Sequence, residues 1–160
     1  IELLREGKNI ALVSDAGTPG ISDPGLLLVS RVRETLPEAK VIAIPGATAL
    51  IAALSTSGIS SAEFTFLGFL PHKKGRETLF KEIAESERTI VFYESVHRFL
   101  KTLTSLEEHC GPDRVIAVGR ELTKIYEETL VGPLKDIRFK YESHPDTVRG
   151  EFVVIVSPKG

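Results

Sequence analysis

The 160-residue chain carries 20 Lys and Arg against 22 Asp and Glu, a net charge of −2, and is 42% hydrophobic and 26% charged. That is the profile of a globular protein. No apolar run approaches the roughly 20 residues that span a bilayer, and no chain-wide excess of positive charge is present to hold nucleic acid, so any such contact has to be a local patch.

Ile1–Gly7 reads as the last turns of a helix closed by a glycine. With no Met anywhere in the chain, this start predicts an N-terminally truncated fragment. Ile10–Val13 is a continuous apolar run, as expected of a parallel strand covered on both faces. The segment Ser14–Gly25, SDAGTPGISDPG, follows it. Asp23 is expected to N-cap the next helix, with Pro24 in its first turn. That helix carries Leu27, Leu28, Val32 and Leu36 and stops before Pro37. Val41–Ile44 is the second predicted strand, and Ala47–Ser57 a helix of small residues ended by Gly58.

From Phe64 the pattern changes. Phe64–Leu70 reads as an aromatic strand, His72–Arg76 as a basic loop, and Glu77–Glu85 as a helix. A strand over Thr89–Tyr93 and a helix over Val96–His109 follow. Val115–Val118, Tyr126–Val131 and Phe152–Val156 are further strands, and a short helix runs from Leu134 to about Lys140. Ser143–Arg149 is polar and reads as a loop. Adjacent strands without a helix between them imply a mixed sheet. The expected organisation is therefore residues 1–62 as an α/β domain built on parallel strands and 63–160 as a second α/β domain with a mixed sheet. The one cysteine, Cys110, excludes an internal disulfide, fits a reducing, cytoplasmic setting, and reads as a helix-end residue before Gly111.

Several chemistries are missing from the pattern. No glycine-rich run is followed by Lys-Ser/Thr, as a P-loop needs, and no G-x-G-x-x-G is present. His72, His97, His109 and His144 lack zinc-ligand spacing, so no metal is expected. No G-x-S-x-G elbow supports a serine hydrolase. What remains is a pair of turn-rich loops, Ser14–Gly25 and Pro45–Thr48, each after a predicted parallel strand, where open α/β sheets bind ligands. Neither loop holds Lys or Arg, which suits a ligand that is itself cationic. On residue types alone, ordinary strand-to-helix turns explain the same loops.

The stretches ALVSDAGTPGISDPG, IPGATALIAALSTSG, FLGFLPHKKGR, VFYESVHR, VGRELTKIYEE and GEFVVIV, in this order, resemble the tetrapyrrole-methylase superfamily of S-adenosylmethionine-dependent enzymes. The resemblance is to its ribosomal branch, which methylates cytidine ribose in small-subunit ribosomal RNA. It implies a two-domain fold, S-adenosyl-L-methionine as cofactor, 16S ribosomal RNA as partner, and a homodimer. In that family a further strand precedes the region where this chain begins. The common Gly-Asp-Pro of the superfamily is replaced here by Gly17-Thr18-Pro19, with Asp15 upstream, as in the ribosomal branch. By resemblance Asp15, Gly17, Thr18, Pro19, Ile21 and Ser22 line the methionine side of the cofactor, and Pro45, Gly46, Ala47 and Thr48 its adenosine.

The same resemblance marks Glu94, His97, Arg98 and Glu121 as candidate catalytic residues. His97 carries an imidazole, a common proton acceptor in catalysis, which could take the hydroxyl proton. The plain alternative for Glu94 and Arg98 is a helix-surface i, i+4 pair, and for Glu121 a surface ion pair with Arg120 or Lys124. His72, Lys73, Lys74, Arg76 and Arg120 are candidate RNA contacts, and a solvated charge run is the alternative. Tyr93 and Tyr126 are candidates for stacking on bases, with core packing the simpler expectation. Two other functions stay open from the residues: methylation of a tetrapyrrole precursor, and a non-catalytic RNA-binding module.

Overall fold

The computed structural model describes all 160 residues, in two compact units, Ile1–Thr48 and Ala49–Gly160. The division falls earlier than the expected boundary at residues 62/63. The helix over residues 49–57 buries Leu50, Ala53 and Leu54 against the sheet of the second unit, so it belongs there by packing. No helix is long and apolar enough to cross a membrane.

In the first unit, α1 (Glu2–Arg5) ends as expected on a glycine. The Gly7 amide donates to the Leu4 carbonyl at 3.0 Å and the Lys8 amide to Leu3 at 2.9 Å, with Gly7 at φ +79°. These are the paired closing bonds of a glycine-terminated helix. The second helix, α2 (Leu26–Thr35), starts two residues later than predicted. Its N-cap is Gly25 at φ +125°, and no side chain caps it, so Asp23 does not serve as N-cap and Pro24 lies outside the helix. Val32 and Leu36 form its buried face.

Ile10–Val13 and Val41–Ile44, expected as strands, form no β-ladder. A strand is defined by its hydrogen-bonded neighbour, and backbone groups without one stay with solvent. Their side chains follow: Val13 is 82% exposed and Ile44 79%.

The second unit is a five-stranded mixed sheet: β1 (Phe64–Phe69), β2 (Thr89–Ser95), β3 (Val115–Arg120), β4 (Glu128–Pro133) and β5 (Glu151–Val156), in the order β1-β2-β5-β3-β4. β1 and β2 are parallel, β5 is antiparallel to both β2 and β3, and β4 is antiparallel to β3. Helices α3 (Ala49–Ser57), α4 (Arg76–Glu85), α5 (Phe99–Cys110) and α6 (Leu134–Ser143) pack around it. The two-residue period of the strands divides the core into two layers. Phe92, Ile116, Val118, Phe152, Val154 and Val156 face α4, α5 and α6, while Val91, Ala117, Val153 and Ile155 face α3.

A bulge interrupts β1. Phe66 pairs with Val91 but Phe69 with Tyr93, so an extra residue is absorbed beside Gly68, which sits at φ +63°. Residues three apart in a regular strand point to opposite faces; the bulge instead brings Phe66 and Phe69 onto the same ring. Their centroids lie 5.0 and 5.5 Å from that of Tyr93. The Tyr93 hydroxyl in turn accepts the Leu50 amide at 3.2 Å, satisfying one of the free donors in the first turn of α3.

Helices α4 and α5 are joined through His109. Its Nε2 lies 2.8 Å from Glu77 Oε1, its Nδ1 2.7 Å from the Ser105 carbonyl, and its ring stacks on Phe80. The Ser105 carbonyl, then Glu77, raise the imidazole pKa. A raised folded-state pKa stabilises the fold fully below the unfolded value of about 6.5 and loses that contribution as pH climbs through the folded value. The stability gap between the native protein and His109→Gln, read from urea midpoints, should therefore be widest near pH 6 and close as pH is raised.

Candidate functional site

In the first unit, the segment Ser14–Gly25 turns on Gly17 at φ +76° and Gly20 at φ +84°, and also holds Ser22 at φ +58°. A non-glycine residue there costs about 1–3 kcal/mol and is commonest at functional sites. Ser14 Oγ donates to the Gly17 carbonyl at 3.0 Å. The loop meets the second predicted binding segment: Thr18 Oγ1 donates to the Ala47 carbonyl at 3.4 Å. A Cβ on Gly17 would lie 3.7 Å from that carbonyl, and one on Gly46 would lie 3.6 Å from Thr18 Oγ1. The structure thus brings Gly17 and Thr18 against Gly46 and Ala47. Asp15, Gly17, Ile21, Ser22, Pro45, Gly46 and Ala47 are exposed, and Thr18, Pro19 and Thr48 half-buried. Exposed glycine backbone, the carboxylates of Asp15 and Asp23 and no fixed cation form a donor set that fits a cationic cofactor such as S-adenosylmethionine.

In the second unit, sheet direction does the gathering. β1, β2 and β3 all run the same way, so their C-terminal ends share one edge with the starts of β4 and β5. At this edge lie the segments 70–75, 96–98, 121–127 and 148–150. They carry every residue predicted for catalysis or RNA contact, or lie directly beside it.

These residues differ sharply in environment. The Glu94 side chain is 0% exposed, so it is no helix-surface partner of Arg98. It is the last residue but one of β2, and α5 begins only at Phe99. Its Oε1 accepts the Ser95 amide at 2.8 Å and Arg98 at 2.7 Å; its Oε2 accepts Thr102 Oγ1 at 2.7 Å and lies 3.7 Å from Arg76. Arg76 also donates to Thr102 Oγ1 at 2.6 Å and stands over the Phe80 ring. Burial lowers the Arg76 pKa, and Glu94 opposes that shift. His72, Lys73, Lys74 and His97 are exposed.

Arg120 lies half-buried between Glu128, 3.5 Å away, and the Thr147 carbonyl, 3.0 Å away. Glu121 sits at φ +49° and Thr123 at φ +68°, opening a tight turn before β4. Glu121 Oε1 accepts Lys124 Nζ at 2.8 Å and the Glu151 amide at 2.9 Å. Lys124, then the Glu151 amide, hold its carboxyl below the ordinary range, which makes it a weak proton acceptor. Tyr126 lies ahead of β4, not in it, and is 71% exposed, while Ile125 beside it is 94% exposed. Core packing, the expectation for Tyr126, is thus replaced by display on a turn.

Gly150 packs directly against that turn. It sits at φ +84°, and a Cβ there would fall onto the Glu121 carboxyl group. An unstrained Gly→Ala change stabilises by about 0.4–1 kcal/mol, whereas Gly150→Ala should destabilise by more than that. Faster amide exchange at Glu121 and Glu151, read by hydrogen exchange, checks it.

Sequence reasoning missed Thr102. The signal was present: Phe99, Thr102, Leu103 and Leu106 make one helical stripe and are all buried, so a hydroxyl there needs a buried partner.

The sequence model for tetrapyrrole (corrin/porphyrin) methylases matches residues 1–138. A protein of Haemophilus influenzae named ribosomal RNA small subunit methyltransferase I is 46% identical over 160 residues, covering 99% of this chain and 56% of its own length. A Synechocystis protein of the same name is 49% identical over 156 residues, covering 96% of this chain and 54% of its own length. The chain thus spans about half the length of the curated relatives it matches. Among solved structures, the methyltransferase CobJ superposes with a TM-score of 0.70 at 25% identity, covering 98% of this chain and 67% of that one. On the strength of the family match and of these relatives, the chain belongs to the tetrapyrrole (corrin/porphyrin) methylase family.

Proposed function

We propose that the protein transfers a methyl group from S-adenosyl-L-methionine to the ribose 2′-hydroxyl of a cytidine in 16S, small-subunit ribosomal RNA. The observation that carries this reading is the similarity, along nearly the whole chain, to proteins named ribosomal RNA small subunit methyltransferase I. The exposed His72, Lys73 and Lys74 at the same sheet edge as His97 support it, as a local basic patch of the kind that contacts a phosphate backbone.

The two loops of the first unit would hold the cofactor. Gly17 and Gly46 would let their backbone approach it, and Asp15 would offer an exposed carboxylate. Bound there, S-adenosylmethionine supplies a methyl group already activated by its sulfonium, so the protein's main task is alignment and exclusion of water. His97 is the exposed imidazole at the edge and would accept the hydroxyl proton. Glu94 and Glu121, with their oxygens engaged, would act by holding other groups. The reading includes a homodimer working in the cytoplasm.

The test is methylation of purified small subunits by the intact protein with labelled cofactor, followed by mapping of the label. Label on a cytidine ribose is expected. Label absent from RNA but present on a porphyrinoid would move the activity to tetrapyrroles, and RNA binding without cofactor binding by calorimetry would leave a binding module. Within this reading, Lys73→Ala/Lys74→Ala removes two phosphate contacts. The slope of log affinity against log salt for single-stranded RNA should flatten by about 1.4, and binding should weaken alike across sequences.

A further inference from the structure

We propose that Glu94 is a positioning residue for RNA: it sets the basic loop His72–Gly75 through two arginine arms. The inference rests on the proposed RNA substrate and concerns how that surface is built.

Glu94 lies under the loop, fully buried, with both carboxylate oxygens engaged. Arg98, held on Oε1, reaches across to donate to the Leu70 carbonyl at 2.8 Å. Arg76, held at Oε2 and Thr102, donates to the Pro71 carbonyl at 3.1 Å. These are consecutive carbonyls directly before His72. Arg76 is also the first residue of α4, directly after the loop, and its amide donates back to the Lys73 carbonyl at 3.2 Å. One carboxylate therefore anchors the chain on both sides of His72–Gly75.

Two further features point to presentation rather than to packing alone. The segment Leu70–Arg76 contains no acidic residue, so Lys73 and Lys74 are not neutralised from within it. The cluster sets two guanidiniums against one carboxylate, which leaves one positive charge beneath two exposed lysines. A buried ion cluster is seldom the most stable choice for its volume. What it provides here is fixed direction, because each planar guanidinium fork holds a carboxylate and a carbonyl at set angles.

The experiment is a double-mutant cycle on the intact protein, combining Glu94→Gln with Lys73→Ala/Lys74→Ala. The readouts are affinity for a 16S-derived RNA and affinity for S-adenosylmethionine. Glu94→Gln should weaken RNA binding by about tenfold, the coupling expected within one network, and leave cofactor affinity unchanged. In the Lys73→Ala/Lys74→Ala background the same change should have almost no effect on RNA. An equal loss in both backgrounds, or an equal loss of cofactor affinity, overturns the proposal. If Glu94→Gln does not fold, Thr102→Val takes its place, with a smaller effect of the same sign, and Thr102→Ser should restore binding. If the lysine variant binds RNA as the wild type does, the RNA reading of the loop itself fails, an outcome distinct from additive losses.

Discussion

Phe152→Ala should lower the unfolding free energy by about 3–5 kcal/mol, a large share of the 5–15 kcal/mol that holds a typical domain together. Phe152 sits on β5, the central strand, and is buried. Its ring stacks on Phe99 with centroids 3.9 Å apart and planes at 11°, and Tyr141 closes the group edge-on to both. Truncation would leave a cavity bounded by a strand and two helices, α5 and α6, none of which can move in without breaking other contacts. Urea denaturation should show a lower midpoint with an unchanged slope. A loss under 1 kcal/mol would mean that the aromatic group collapses and that the core is looser than it looks.

Glu94→Leu should cost a similar amount, about 3–5 kcal/mol, by a different mechanism. The substitution keeps most of the volume but strands Arg76 and Arg98 beneath the loop without their counter-charge. Replacing all three residues together, as Arg76→Met, Glu94→Leu and Arg98→Met, should recover part of that loss, since no unpaired charge is then left behind. The comparison separates stability from presentation. If the triple variant is stable but binds RNA poorly, the charges serve the surface. If it binds RNA normally, they do not. Calorimetric melting and filter binding on the same preparations decide it.

Much of the second unit was legible in the sequence. Val115–Val118 and Phe152–Val156 are short β-rich runs bounded by turn residues, and apart from the exposed Val115 burial on both faces is what their continuous apolar character reports. Cys110 stands at the end of α5 before Gly111, which adopts φ +86° as a helix-ending glycine can. The Glu94–Arg98 partnership was legible too, but its location was not. Spacing of four residues is the same on paper whether the first residue lies on a helix or ends a strand, and only the later start of α5 puts the pair inside. Tyr126 misled for a related reason. It heads the strand-like stretch Tyr126–Val131, while the left-handed residues Glu121 and Thr123, which no local pattern announces, open a turn that displays it. Asp23 had the right chemistry for a cap, yet Gly25 lets the chain enter α2 two residues further on. Ile10–Val13 and Val41–Ile44 carry strand composition, but composition cannot supply the neighbour that completes a ladder.

The order β1-β2-β5-β3-β4 also sets a schedule. The strand that joins the two halves of the sheet comes after all the others: Ile90 waits for Val156, and Ile116 waits for the same residue. Until residues 151–156 arrive, β1 with β2 and β3 with β4 can form only as separate pairs, and isolated pairs are marginal in water. Such long-range closure raises contact order and slows folding. Until β5 has been made, a nascent chain would therefore hold its two half-sheets unjoined, and it would acquire protease resistance in a single step as β5 clears the ribosome.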